Sequence, residues 1–149
     1  MARNLLLWVH IAGAAAWLGA NFVQVVLTPR FAKQPADIAG AWTEATLFLG
    51  RVYYGVVGTV IALSGVALVL HGHWGFGHAF VGIGIGVVVA GVVLGIVGFE
   101  KAMKARVAAL AAGDAPTAAG ALRRIYVLAA VDTALVLTAV LGMVSKWGT

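Results

Sequence analysis

Four long, mostly apolar runs dominate this chain, at residues 5–27, 52–70, 79–99 and 125–144. Each is long enough to cross the roughly 30 Å hydrocarbon core of a bilayer as an α-helix. Charged residues make up only 10% of the chain, so its surface cannot be covered with charge in water. We therefore expect an all-α integral membrane protein, with residues 1–149 forming a single four-helix bundle in contact with the lipid bilayer.

The second and third helices are predicted to extend beyond the bilayer. No helix breaker separates Pro35 from the second span, which predicts one helix over about residues 36–70. The third span continues through several basic residues to Gly113, a residue typical of helix ends, and Asp114 with Pro116 is typical of a new helix start. The extra residues should make these helices protrude by roughly 15–20 Å.

The basic residues predict how the bundle is oriented. Only Arg3 and Lys146 flank the spans on the side of the chain termini. The other eight lie around the first and third connections, namely Arg30, Lys33, Arg51, Lys101, Lys104, Arg106, Arg123 and Arg124. Because basic residues near span ends are retained in the cytoplasm, we expect an inner-membrane protein with its long connections in the cytoplasm, its second and third helices extended on that side, and both termini outside.

The polar residues of the first span share one helix face. At 100° per residue, the side chains of this stripe fall within about 60° of one another. The stripe comprises His10, Trp17, Asn21, Gln24 and Thr28, with the small residues Gly13 and Ala14 on the same side. A polar side chain within a span is costly in lipid, so we expect the stripe to face protein.

Asp132 is the acidic residue inside a span, and it lies in the fourth one. Two interpretations of the intramembrane polar residues Asn21, Gln24 and Asp132 remain open. They form a hydrogen-bonded seam between helices, or they take part in function, with Asp132 as a proton relay. The structural interpretation predicts a polar partner for the Asp132 carboxyl from Asn21, Gln24, Arg51 or water.

All four histidines fall on the side of the termini. His10 is in the first span, and His71, His73 and His78 surround the short second connection. Neutral imidazole is a ligand for haem iron, copper and zinc, so these residues are candidate metal ligands. Alternatively, the histidines of the connection simply lie at the headgroup level beside Trp74.

The first span also carries short motifs that resemble two families. It contains Trp8-Val-His10, then Trp17-Leu-Gly19, and ends with Thr28-Pro29-Arg30-Phe31. This pattern resembles the first helix of small four-helix bacterial membrane proteins related to the copper-resistance protein CopD. It is also similar to the first helix of HemJ-type protoporphyrinogen oxidases, and Arg51-Val-Tyr53 and Gly65 in the second span add to the resemblance. In these families the first-helix histidine is thought to serve haem or porphyrin chemistry, which implies that role for His10 and, more loosely, for His78.

The leading hypothesis is therefore a haem b-binding membrane redox protein or subunit, which as an enzyme would be an oxidoreductase. His10 is one expected axial ligand and a histidine on the side of the termini is the other. His10, His78, Trp17 and Gly13 are the expected residues of the cofactor site. Copper binding through His71, His73 and His78 is one alternative, and a non-enzymatic scaffold is another.

The sequence also bears on disulfides, thiolate metal sites, nucleic acid and protein partners. The chain has no cysteine, which excludes disulfides and thiolate metal sites. No basic run is interleaved with aromatics, so no nucleic-acid partner is expected. A second copy of the chain or a larger membrane complex is a candidate partner, because the third span carries glycines on two faces.

The orientation can be tested with single cysteines, since the chain has none of its own. We expect Leu110→Cys to react with an impermeant reagent only from the cytoplasm and Gly75→Cys only from outside, because the basic residues flank position 110. Labelling of position 75 only from the cytoplasm would contradict this orientation.

Overall fold

The computed structural model describes residues 1–72 and 74–146 of the chain, and it is 90% helical. Its four helices are α1 (Ala2–Phe31), α2 (Ala36–His71), α3 (Ala79–Ala111) and α4 (Ala115–Ser145). All four are long and apolar enough to cross a membrane, and no strand occurs within the described ranges. The predicted all-α, four-helix membrane bundle is confirmed.

The four helices define two ends of the bundle. The starts of α1 and α3 and the ends of α2 and α4 lie at one end, which we call the terminal end. The α1–α2 and α3–α4 connections lie at the other, which we call the loop end. Because α2 has 36 residues and α3 has 33, each is close to 50 Å long and exceeds the hydrocarbon core at about 1.5 Å per residue.

Local signals in the sequence explain where the helices end. The Asp114 side chain accepts a hydrogen bond from the backbone N–H of Thr117 at 3.1 Å and so caps the start of α4. Hydrogen bonds from the side chain and backbone of Thr117 lower the pKa of Asp114. Gly113, just beyond α3, has φ of 71°, a left-handed conformation that glycine adopts without steric cost. These contacts produce the sharp turn between α3 and α4 that the sequence predicts.

The extended parts of the helices pack against one another at the loop end. Ala102 and Met103 of α3 and Ile125 of α4 form a buried apolar cluster. Leu47 of α2 and Leu128 of α4 pack against this cluster. The loop end therefore has a small hydrophobic core of its own.

A π-helical segment, Leu94–Phe99, interrupts α3, and no sequence pattern predicts it. A π turn adds a residue to the helical turn, so the residues after it point in directions that an uninterrupted α-helix would not give them. Gly98 is buried in this segment, and a Cβ at this position would lie 3.0 Å from Leu128. Met103 and Arg106, which follow the segment, are both buried.

The glycines of α3 allow close packing on one face of the helix. A Cβ added at Gly84, Gly91 or Gly98 would come within 2.7 to 3.3 Å of a side chain on another helix. A Cβ at Gly82 or Gly86 would meet nothing within 4 Å. One of the two glycine faces is therefore used for packing within the chain, and the other is open.

The indole of Trp17 packs directly against α2 and α3. A Cβ at Gly58 would lie 3.1 Å from its Cζ3, and a Cβ at Gly91 would lie 3.3 Å from its Cη2. The ring of Tyr54 meets it edge-on, with the ring centroids 5.1 Å apart. Trp17 thus has little room to move away from either glycine.

Two alanine substitutions in α2 test this packing. Gly58→Ala should lower the free energy of unfolding by about 1–3 kcal/mol, because the new methyl group overpacks the space against Trp17. The matched control is Gly55→Ala, where a Cβ would meet nothing within 4 Å. The control should be neutral or stabilise by up to about 1 kcal/mol, since alanine favours a helix over glycine. Unfolding in mixed detergent micelles measures the free energy of unfolding of both variants. Equal losses in the two variants would contradict the close packing of Gly58 against Trp17.

Candidate functional site

The polar stripe of α1 faces the inside of the bundle. The buried residues of α1 are His10, Gly13, Asn21 and Thr28, and all four belong to the stripe. Trp17 and Gln24, its other polar members, are half-buried. The expectation that this face contacts protein rather than lipid is confirmed.

Asp132 joins α4 to α1 through two hydrogen bonds. Its side chain is only 6% exposed. Its Oδ2 accepts hydrogen bonds from the Trp17 indole N–H at 2.9 Å and from the Asn21 amide at 2.8 Å. A carboxyl oxygen can accept two hydrogen bonds, so both N–H donors are matched by this one oxygen.

The hydrogen bonds continue from Asp132 to α2. Tyr54 donates its hydroxyl proton to Asn21 Oδ1 at 2.6 Å and accepts a hydrogen bond from the Gln24 amide at 2.7 Å. The result is a connected set of side chains, which we call the polar seam, formed by Trp17, Asn21, Gln24, Tyr54 and Asp132. It links α1, α2 and α4 in the middle of the bundle.

The partners in the seam differ in part from those expected. Asn21 bonds Asp132 as expected, whereas Gln24 reaches it only through Tyr54 and Asn21. Arg51 is not a partner of Asp132, because its guanidinium pairs with Glu100 at 2.7 Å near the loop end. Tyr54 was not predicted as a member of the seam, because nothing in its local sequence indicates that its hydroxyl bonds Asn21 and Gln24.

His10 binds α2 through one ring nitrogen. Its Nδ1 lies 3.1 Å from the backbone oxygen of Ile61 and 3.0 Å from Ser64 Oγ. A carbonyl oxygen only accepts hydrogen bonds, so the neutral ring carries its proton on Nδ1. The Ser64 hydroxyl donates to the Val60 carbonyl at 2.6 Å, which leaves its oxygen free to accept from His10. Nε2 keeps its lone pair, and no residue in the described ranges donates a hydrogen bond to it.

His10 also lines a cavity of about 320 Å³ at the terminal end, which we call the terminal cavity. Its walls are mostly apolar and come from all four helices and the α2–α3 connection, including Trp74, Phe80 and Met143. Two basic residues, Arg3 and Lys146, line it as well. A Cβ at Gly65 would lie 3.1 Å from Cε1 of His10, so this glycine lets the imidazole lie against α2.

The other predicted cofactor residues do not line the terminal cavity. Gly13 packs against α2, where a Cβ would lie 2.8 Å from Ile61 Cγ1. Trp17 belongs to the polar seam. The ring of His78 lies against Trp74 and Phe80, with centroid distances of 5.5 Å and 5.9 Å. The structure therefore brings His10 to the cavity and places the other three elsewhere.

The predicted metal ligands of the α2–α3 connection are only partly described. His71 is exposed at the end of α2, and His73 lies outside the described residues. Within residues 1–72 and 74–146, no three His, Cys, Asp or Glu side chains come together in a way that would hold a metal ion. The described residues thus give no support to a copper site here.

Comparisons of the chain with models of protein families, with curated proteins and with solved structures find no match. The resemblance to CopD-related and HemJ-type proteins stays a prediction.

Substitutions at Asp132 test the role of its carboxyl oxygen. Asp132→Asn should be tolerated in stability, because an amide oxygen can still accept from Trp17 and Asn21. Asp132→Leu should cost about 2–5 kcal/mol, because two buried N–H donors then lack an acceptor. Thermal unfolding in detergent measures both. Equal destabilisation by the two substitutions would show that the charge, rather than the accepting oxygen, stabilises the bundle.

Proposed function

We propose that the protein binds haem b in the terminal cavity, with His10 as an axial ligand, and acts as a membrane redox protein or as a subunit of one. The observation that supports this most is the state of the His10 ring. Its Nδ1–H is held by the Ile61 carbonyl, and its Nε2 lone pair is left for a ligand in a cavity that the same residue lines. Histidines that ligate a metal typically have their second nitrogen fixed in this way.

The terminal cavity has the properties that such a cofactor needs. Its volume of about 320 Å³ is within the range of pockets that bury small molecules. Its apolar and aromatic walls suit a porphyrin ring, and Arg3 and Lys146 suit the two propionate carboxylates by charge. Lys146 also lies over the Trp74 ring, with Nζ 5.6 Å from its centroid, at the wall of the same cavity.

Two residues could supply a second ligand to the haem iron. His78 is one of the histidines on the side of the termini, and its ring lies beside Phe80, which lines the cavity. Met143 lines the cavity itself, and a thioether is an established axial ligand of haem iron. Replacing Met143 by Leu and His78 by Ala, one at a time, separates the two.

Each group in this site has a distinct task. When bound, haem supplies one-electron chemistry, and an enzyme built on it would be a membrane oxidoreductase. Ile61 and Ser64 fix the tautomer and the orientation of the His10 ring. The aromatic walls would surround a bound porphyrin with apolar groups, and the local dielectric is one of the protein's means of tuning a redox potential.

A scaffold function is the second candidate, and the polar seam favours it. The hydrogen bonds among Asn21, Gln24, Tyr54 and Asp132 link three helices without any ligand. In that case the intramembrane polar residues act only in assembly. For copper handling through His71, His73 and His78, residues 1–72 and 74–146 offer no supporting cluster of ligands.

We also propose that the loop end is cytoplasmic and that the chain resides in the inner membrane with both termini outside. The uneven distribution of basic residues supports this orientation. The terminal cavity would then open toward the outer side of the membrane, where an extracytoplasmic redox partner could reach it.

The visible spectrum of the purified protein tests the haem proposal. Protein expressed with haem and copper available should show a Soret band, and His10→Ala should lose or shift that band while remaining folded. The control is His71→Ala, an exposed histidine at the same end of the bundle, which should keep the wild-type spectrum. A colourless wild type without stoichiometric metal would instead favour the scaffold, and a colourless wild type with stoichiometric copper would favour copper handling.

A further inference from the structure

A second cavity lies at the loop end, away from the terminal cavity. Its volume is about 40 Å³, and all four helices contribute to its walls. We call it the loop cavity. Its polar lining includes Gln24 and Thr28 of α1, Thr46 of α2, Arg106 of α3 and Tyr126 of α4. None of the lining residues is acidic.

Arg106 is buried in this lining without a counter-charge. Its side chain is only 3% exposed, and its Nε has no hydrogen-bond partner. The sequence analysis counted Arg106 among the basic residues that flank the membrane, but the structure turns it inward. It follows the π-helical segment of α3, which changes the direction of the residues after it.

Each of the five acidic side chains of the chain is placed elsewhere. Glu100 pairs with Arg51 and Lys104, Asp114 caps α4, and Asp132 belongs to the polar seam. The remaining two, Asp37 and Glu44, are exposed. A guanidinium stays protonated in proteins, so Arg106 is a buried positive charge that no side chain of the chain neutralises. Burying an unpaired charge is unfavourable, which points to a ligand that supplies the opposite charge.

Two residues that line the cavity together with Arg106, namely Thr28 and Tyr126, have hydroxyl protons to donate. Thr28 Oγ accepts from the Trp42 indole N–H at 3.1 Å, and its own proton has no acceptor in the part of the chain that the structure describes. The Tyr126 hydroxyl likewise has no hydrogen-bond partner there. The hydroxyl protons of Thr43 and Thr46 are already used, because they bond the backbone oxygens of Ala39 and Thr43.

We propose that the loop cavity binds one monovalent anion of halide size, paired with Arg106 and hydrogen-bonded by Thr28 and Tyr126. A volume of about 40 Å³ has room for a single small anion or a few water molecules, and is too small for a phosphate ester or a nucleotide. Because residues of all four helices line the cavity, the anion would stabilise their packing at the loop end. Gln24 lines this cavity and also belongs to the polar seam, so the bound anion would support the seam from one side.

Thermal unfolding of the full chain in detergent tests the proposal with chloride and bromide as probes. Sodium gluconate at equal ionic strength is the reference salt. Chloride and bromide should raise Tm by roughly 3–6 °C at about ten times Kd, and Tm should keep rising with the logarithm of the halide concentration above Kd. Gluconate is too large for the cavity and should not raise Tm in this way.

Variants assign the effect to this cavity. Arg106→Gln should lose the chloride dependence, and Tyr126→Phe should weaken the apparent chloride affinity roughly tenfold through loss of one charge-assisted hydrogen bond. The control is Arg51→Gln, an exposed arginine at the same end, which should keep the full effect.

The opposite results would overturn the proposal. Equal Tm values of the wild type in chloride, bromide and gluconate would mean that the cavity holds water only. A chloride effect that persists in Arg106→Gln would place the anion elsewhere. If Arg106→Gln does not fold, wild-type crystals soaked in bromide decide the question. An anomalous peak within hydrogen-bond distance of Arg106 supports the site, and the lack of such a peak contradicts it.

Discussion

The hydrogen bonds that Asp132 accepts from Trp17 and Asn21 constrain the rest of the structure. A carboxyl group within a membrane span is strongly unfavourable unless protein groups replace the water that it loses. The two N–H donors on α1 meet this requirement, and they fix the rotation of α1 about its own axis. Since α1 is one helix from Ala2 to Phe31, that rotation also decides which way His10 and Thr28 point.

The polar stripe of α1 contributes a residue to the cavity at each end of the bundle. Toward the terminal end it presents His10, whose ring is held by Ile61 and Ser64 beside an apolar cavity. Toward the loop end it presents Thr28 at a small cavity with a buried arginine. The middle contains the polar seam, whose donors and acceptors are largely matched to one another. The two cavities, and with them the two proposed ligand sites, thus lie at opposite ends of the bundle.

The sequence predicts the helices well because their signals are local. Apolar run length, the Asp114 cap and Gly113 place both ends of α2, the end of α3 and the start of α4 within a residue or so, and periodicity identifies the buried stripe. The first run ends at residue 27, whereas α1 continues through Pro29 to Phe31. The partners across helices were not predictable in this way. Ser64 opposite His10 and Tyr54 opposite Asn21 depend on the relative rotation and height of two helices, which no local pattern records. Arg106 is buried after the π-helical segment of α3, and the periodicity of an uninterrupted α-helix does not predict the direction of the residues after such a segment.

A double-mutant cycle between Asn21 and Asp132 tests most directly whether this hydrogen bond joins α1 to α4. The unfolding free energies of Asn21→Leu, Asp132→Leu and the double variant are compared with that of the wild type in mixed micelles. If the two residues act through their bond, the double variant should lose less than the sum of the single losses, by about 1–3 kcal/mol. Losses that add to within about 0.5 kcal/mol would show that the two side chains contribute independently, and would contradict the central place given to this interaction.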